Sequence, residues 1–261
     1  MMRSLWVSKS GMEAQQTQLD HISNNLANSG TNGFKQTHAV FEDLMYQNLR
    51  QSGANSSDQT TLPTGLQAGL GVRAVASSRQ FTQGNLQQTG NNLDVAIQGK
   101  GFFEVTLPDG TIGYTRDGAF QIDNQGRIVT NNGYPVNIGG GTIPAEATQV
   151  TIGNDGVITA TMPGTTAVQR IGQFQMSTFI NPNGLDPKGQ NYFQETEASG
   201  QPQSGNPASD QRGSLSQGFV ETSNVNVVQE LVMMIQTQRA YELNSKAIQT
   251  SDQMLQKLGQ L

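Results

Sequence analysis

The residue types able to do chemistry are few, and their spacing is poor. His21 and His38 are the only histidines, and the mid-chain carboxylates Asp94, Glu104, Asp109, Asp117 and Asp123 are the remaining candidates. A metal ion needs three or four converging ligands. Neither histidine has a second histidine or a carboxylate at ligand spacing, so no metal site is expected. Two carboxylates facing one substrate would suit glycoside hydrolysis, but three of these five stand beside glycine or at turn positions, where Asp serves the backbone. The run GKGFF at 99–103 lacks the third glycine and the following helix of a dinucleotide site. No Gly-x-Ser-x-Gly elbow nominates a serine nucleophile, and there is no cysteine. The chain reads as a non-enzyme without catalytic, cofactor-binding or metal-binding residues.

The elements that could position anything are defined by unusual composition. Of 261 residues, 21 are Asn and 32 Gln, and these amides outnumber the 35 charged side chains (15 basic plus 20 acidic). Amides both donate and accept, so they suit surfaces that become covered, where an unpaired charge would be costly. The net charge of −5, with no basic stripe, argues against nucleic acid as partner. No apolar run is long enough for a membrane span. The N-terminal MMRSLWVSKSGMEA is interrupted by Ser8, Lys9 and Ser10 before any signal-peptide core can form, so export without a cleaved signal is expected.

Both ends show helical periodicity. Leu5, Met12, Leu19 and Leu26 recur every seven residues, joined by Ile22; Val227, Met234, Tyr241, Ile248 and Leu255 do the same, with Leu231 and Leu258 alongside. The stripes are thin, since Ser8, Gln15, Gln238, Ser245 and Asp252 occupy other seam positions. A lone helix with so little apolar surface does not offset its ordering entropy. Each helix is therefore expected to need the other, and further copies from other molecules. Residues 24–35, NNLANSGTNGFK, end the first helix in amides and glycines.

Between the ends the period changes from helical to alternating. Residues 51–71 read as an extended arm, with Thr60, Thr61 and Pro63 favouring an extended path. From Val72 onward, short runs such as DVAI, GFFEVTL, IGYT, RIVT, QVTI and GVITAT are punctuated by PDG, RDG, NQG, NNG and NDG. Such turns predict an antiparallel meander or small barrel. The expected organisation is α+β, with a discontinuous coiled-coil domain of the two terminal helices and an inserted antiparallel β domain: 1–50 N-terminal helix, 51–71 arm, 72–220 β domain, 221–261 C-terminal helix.

Residues 15–36, QQTQLDHISNNLANSGTNGFKQ, resemble the N-terminal signature of bacterial flagellar rod and hook axial proteins, and residues 218–256 resemble their C-terminal signature. DVAIQGKGFFEV at 94–105 and YTRDGAFQID at 114–123 are similar to the family's middle region, and GANSSDQTTLPTGLQAGLGV at 53–72 is similar to an insertion that marks rod members against hook members. The resemblance implies a helical homopolymer forming a straight, rigid tube that carries torque and encloses an export channel. Its location would be the basal body from periplasm to outer membrane, reached through the flagellar secretion apparatus. Implied neighbours are proximal rod proteins, the hook protein, P-ring and L-ring proteins and a rod cap during assembly, with no membrane insertion. Thr60, Thr61 and Pro63 would then belong to a stiffening arm, while Asn24, Asn25 and Asn28 would sit where helices from several subunits crowd together, hydrogen-bonding without adding charge, and Phe34 would re-enter a packed layer. The competing reading is a secreted β-rich surface enzyme or adhesin whose helical ends oligomerise.

Overall fold

The computed structural model describes residues 2–50, 55–57, 60–61, 64–164, 168–210 and 212–259. Helices stand at the two ends and antiparallel strands fill the middle, an α+β chain. It divides into a helical unit (Met1–Ala27, Thr37–Ser78, Asn226–Leu261) and a β unit (Asn28–Gln36, Arg79–Val225).

In the helical unit, α1 (Met2–Ala27) contains no proline, and its one glycine, Gly11, would carry a Cβ only 3.0 Å from the amide nitrogen of Asn244. That residue lies on α2 (Val227–Leu258). The start of α2 is capped by Asn226, whose Oδ1 accepts from the amides of Val228 and Gln229 at 3.1 and 3.3 Å. Asn25 meets Glu230 while Gly11 meets Asn244, so the two helices run antiparallel at constant register. Their seam is more polar than a usual helix pair: Asn25, Glu230 and Thr237 are buried with Ala14 and Ile22.

The same unit holds three nested strand pairs. β1 (Thr37–Asp43) pairs with β6 (Val72–Arg79), β2 (Gln47–Arg50) antiparallel with β5 (Leu66–Ala68), and β3 (Asn55–Ser57) antiparallel with β4 (Thr60–Thr61). This order differs from the sequence expectation in two places. The helix ends at Ala27, so residues 37–50 of the expected helical segment are strand-forming. Residues 51–71, read as an arm without elements, carry paired strands. An alternation of small and polar residues has no core to report on, and backbone ladder bonds pair such strands. Pro63 lies outside the described residues, as do the side chains of Thr60, Thr61 and Leu258.

The β unit contains β7 (Leu86–Gln88), β8 (Val95–Gln98), β9 (Phe102–Thr106), β10 (Ile112–Thr115), β11 (Phe120–Ile122), β12 (Ile128–Thr130), β13 (Gln149–Ile152), β14 (Val157–Thr161), β15 (Val168–Gln173), β16 (Met176–Thr178), β17 (Asp186–Gly189), β18 (Tyr192–Gln194), β19 (Gln203–Gly205), β20 (Ser214–Gln217) and β21 (Phe219–Glu221). Six of them form one antiparallel sheet in the order β17-β18-β10-β9-β16-β19, while the expected meander is confined to β13-β14-β15. Strand β9 is buried at successive positions because both its faces are covered. Phe103 and Val105 enter one cluster with Val95, Ile97, Phe120, Ile128, Ile158 and Phe174; Phe102 enters another with Tyr114, Phe179, Leu185 and Phe193. Rings meet edge to face across both, as at Phe103–Phe120, 5.0 Å between centroids.

Four of the five glycine turn signals behave as expected, with positive φ at Gly110, Gly126, Gly133 and Gly156. Gly118 does not. A Cβ there would lie 1.7 Å from the Val95 carbonyl oxygen, so this glycine permits a close backbone approach and not a hairpin turn.

Candidate functional site

His21 and the five candidate carboxylates each have a local structural partner. His21 Nδ1 lies 3.3 Å from Thr37 Oγ1, and no group of three potential metal ligands occurs among the described residues. Asp94 accepts from Thr89 Oγ1 at 2.6 Å and Asn91 Nδ2 at 3.0 Å. Asp109 accepts from Thr111 within its own turn, and Asp123 from Arg127 four residues on. Asp117 accepts the Ala119 amide, while burial and then the neighbouring Asp94 charge push its carboxyl up and that bond opposes them. Glu104, buried on β9, accepts from the hydroxyls of Ser177 and Ser204 and from Asn137 Nδ2, which ties β16 and β19 to the sheet. These carboxylates organise turns and strand edges.

The candidate site is instead the surface of the terminal helices. At 100° per residue, Met234, Tyr241, Ile248 and Leu255 fall on the same side of α2 as Glu230 and Asn244, the residues that meet α1. The heptad row read from sequence therefore lies toward the helix partner inside the chain. Ile22 and Asn25 are buried there; Leu5, Met12, Leu19, Leu26, Met234, Ile248 and Leu255 are half-buried, and Val227, Leu231 and Tyr241 remain exposed. Asn24 points outward, and in the β unit Asn28 and Phe34 are half-buried.

A second apolar row escaped the sequence reading. Val228, Val232, Ile235 and Leu243 lie within about 80° of one another, nearly opposite the first row. Val228 is 70% exposed, Ile235 57% and Leu243 67%. Their i, i+4, i+7 spacing was available in the sequence, masked by the more regular heptad beside it. On α1, Trp6 is likewise 67% exposed.

The amides at the end of α1 have particular duties. Asn25 Oδ1 accepts the Thr37 amide at 2.9 Å and its Nδ2 donates to the Thr37 carbonyl at 2.8 Å, so one side chain closes both backbone groups of the first residue of β1. Nδ2 also reaches Glu230 Oε1 at 3.3 Å.

In the β unit, sequence reasoning missed a buried ion cluster assembled from three of the family-like motifs. Glu221 accepts from Lys35 Nζ at 2.5 Å, Arg116 Nη1 at 3.2 Å and the Gly84 amide at 2.8 Å. All three side chains are almost wholly out of solvent. Burial lowers both cations' pKa values below their ordinary ones, against the opposing pull of Glu221. Single charged residues far apart in sequence carry no periodic signal, so only the fold reveals them.

The chain has helical ends and a β middle, and comparison with known proteins identifies its family. Residues 5–35 match the family described as flagella basal body rod protein, residues 96–160 the flagellar hook protein FlgE/F/G D1 domain, and residues 216–261 the flagellar basal body rod FlgEFG protein C-terminal region. Flagellar basal-body rod protein FlgG of Buchnera aphidicola subsp. Schizaphis graminum is 57% identical over all of both chains. That of Borreliella burgdorferi is 48% identical over 98% of this chain and 97% of its own. The Bacillus subtilis FlgG is 40% identical, covering 100% of this chain and 99% of its own. The chain belongs to the FlgG family of flagellar basal-body rod proteins, a structural family and not an enzyme family.

Proposed function

We infer that this chain is the subunit of the distal rod of the bacterial flagellum. Its copies associate through the terminal helices, acting as a coiled-coil domain into which the β region is inserted, to form a straight, rigid helical tube. The tube transmits motor torque to the hook and leaves an axial path for export. It sits in the basal body between periplasm and outer membrane, with proximal rod proteins, hook protein, P-ring and L-ring proteins and the rod cap as neighbours. The observation that carries this reading is the apolar row Val228, Val232, Ile235 and Leu243, exposed on a helix whose other side is already paired. Water-exposed apolar rows of that length are costly unless a neighbour covers them. The nested strand pairs between residues 37 and 79 extend the helical unit and, lying on adjacent subunits, would resist the sliding that lets a tube bend. The reading as a secreted enzyme or adhesin finds no support, because the carboxylates are committed to structure. The test is electron microscopy of purified protein raised in concentration: rods form with the unaltered chain and fail with Ile235→Asp, while the β unit keeps its near-UV circular dichroism.

A further inference from the structure

Residues 28–36 belong to the β unit although the residues on either side of them belong to the helical unit. This segment has no strand or helix of its own, yet it is held at nearly every second residue. The Asn32 carbonyl accepts from Asn191 Nδ2 at 2.9 Å, the Gly33 amide donates to the Glu221 carbonyl at 2.8 Å, and the Gln36 amide donates to Asn224 Oδ1 at 2.7 Å. At Gly33 a Cβ would stand 2.6 Å from the Asp117 amide nitrogen, so the backbone lies flat on residues 116–117. Lys35 then enters the unit completely, donating to the Thr82 carbonyl at 2.8 Å and to Glu221.

The slot that receives Lys35 contains two cations and one anion. Arg116 is anchored independently of the segment, through Gly99 O at 2.9 Å and the face of Phe102, 5.3 Å to the ring centroid. Glu221 is fixed by the Gly84 amide. The cluster thus carries an excess positive charge whose counter-charge among the described residues is Glu221. Removing one partner of a buried ion pair is far more damaging than never having built it. The charge most easily expelled is Lys35, because its backbone lies in a short loop while Arg116 lies directly after β10 within the sheet's packing.

We propose that residues 28–36 are a latch on the β unit, closed by Lys35 against the counter-charge of Glu221, which opens as one piece when that charge is neutralised while the unit stays folded. The latch is independent of the rod assignment. Glu221→Gln in the full chain reproduces the neutralised carboxyl with its shape kept. Trypsin should then cleave after Lys35 about a hundredfold faster than in the unaltered protein, because cleavage tracks the open population. Cleavage after Arg116, buried in the same unit, should not accelerate. Lys35→Met, milder because an apolar stem replaces the cation, should speed hydrogen exchange at the Gly33 and Gln36 amides without changing that of Val95 and Ile97 in β8. Equal cleavage after Lys35 in Glu221→Gln and unaltered protein overturns the latch. So does cleavage after Lys35 and Arg116 rising together, or unchanged exchange at Gly33 and Gln36 in Lys35→Met.

Discussion

Replacing Ile235 with Asp separates folding from assembly. Ile235 is 57% exposed, so an aspartate there remains largely hydrated in a single chain and the helical unit should lose less than about 0.5 kcal/mol. In a polymer that covers the row, two costs add. The apolar burial of more than half an isoleucine side chain, about 1–2 kcal/mol, is lost, and an unpaired carboxylate is forced out of water at a cost of about 3 kcal/mol. Their sum of about 4–5 kcal/mol corresponds to a rise of roughly a thousandfold or more in the concentration needed to assemble. Sedimentation of a concentration series measures that threshold, and thermal melting of the dilute chain measures the fold. A variant that polymerises at the unaltered threshold refutes the assignment of this row as the covered surface. A variant that melts far below the unaltered chain before any assembly refutes the claim that the row is free within one molecule.

The other expectations concern single features. Asn25→Ala removes the partner of both Thr37 backbone groups and should lower stability by about 2–3 kcal/mol, read as a denaturant midpoint shift; Asn25→Asp, which sets a buried carboxylate against Glu230 and the Thr37 carbonyl, should lower it further. Gly118→Ala drives a Cβ into the Val95 carbonyl and should abolish the β unit's cooperative melt, whereas Gly133→Ala, left-handed but in open space, should cost only about 1–2 kcal/mol. Burial, then the Glu195 and Glu104 charges, hold the Tyr114 hydroxyl's pKa above its ordinary value of 10.0. Above that pH the native state keeps a proton that the unfolded chain releases, so stability falls as pH rises from 10.0, and Tyr114→Phe should flatten that fall in alkaline melts. Lys35 works with the opposite sign: the native state loses its proton first, so its contribution rises with pH between its lowered pKa and 10.5, and Lys35→Met should remove that rise. Deleting residues 52–69 should leave rods that assemble but bend, measured as a shorter persistence length in micrographs; unchanged stiffness would remove the strand pairs from the mechanism.

Much of the architecture was legible locally. The terminal helices follow from heptad spacing without proline, and β8 to β14 follow from short apolar runs bounded by glycine turns, because both signals depend on neighbours within a few residues. The turn role of Asp109 was also readable, since the glycine beside it declares the turn. The sequence by itself therefore determined the helix–strand–helix order, the family signature at both ends and the scarcity of charge. Tertiary structure alone decided which apolar row of α2 meets α1 and which stays free, because two rows on opposite sides of one helix have equal claims until a partner is placed. It decided that Asn25 closes the first residue of β1, and that Gly118 is small for a neighbour's carbonyl and not for a turn. Lys35, Arg116 and Glu221 stand up to 186 residues apart. Nothing periodic links them; their chemistry exists only where the fold excludes water, since the same three charges in solvent would be screened and nearly indifferent to one another.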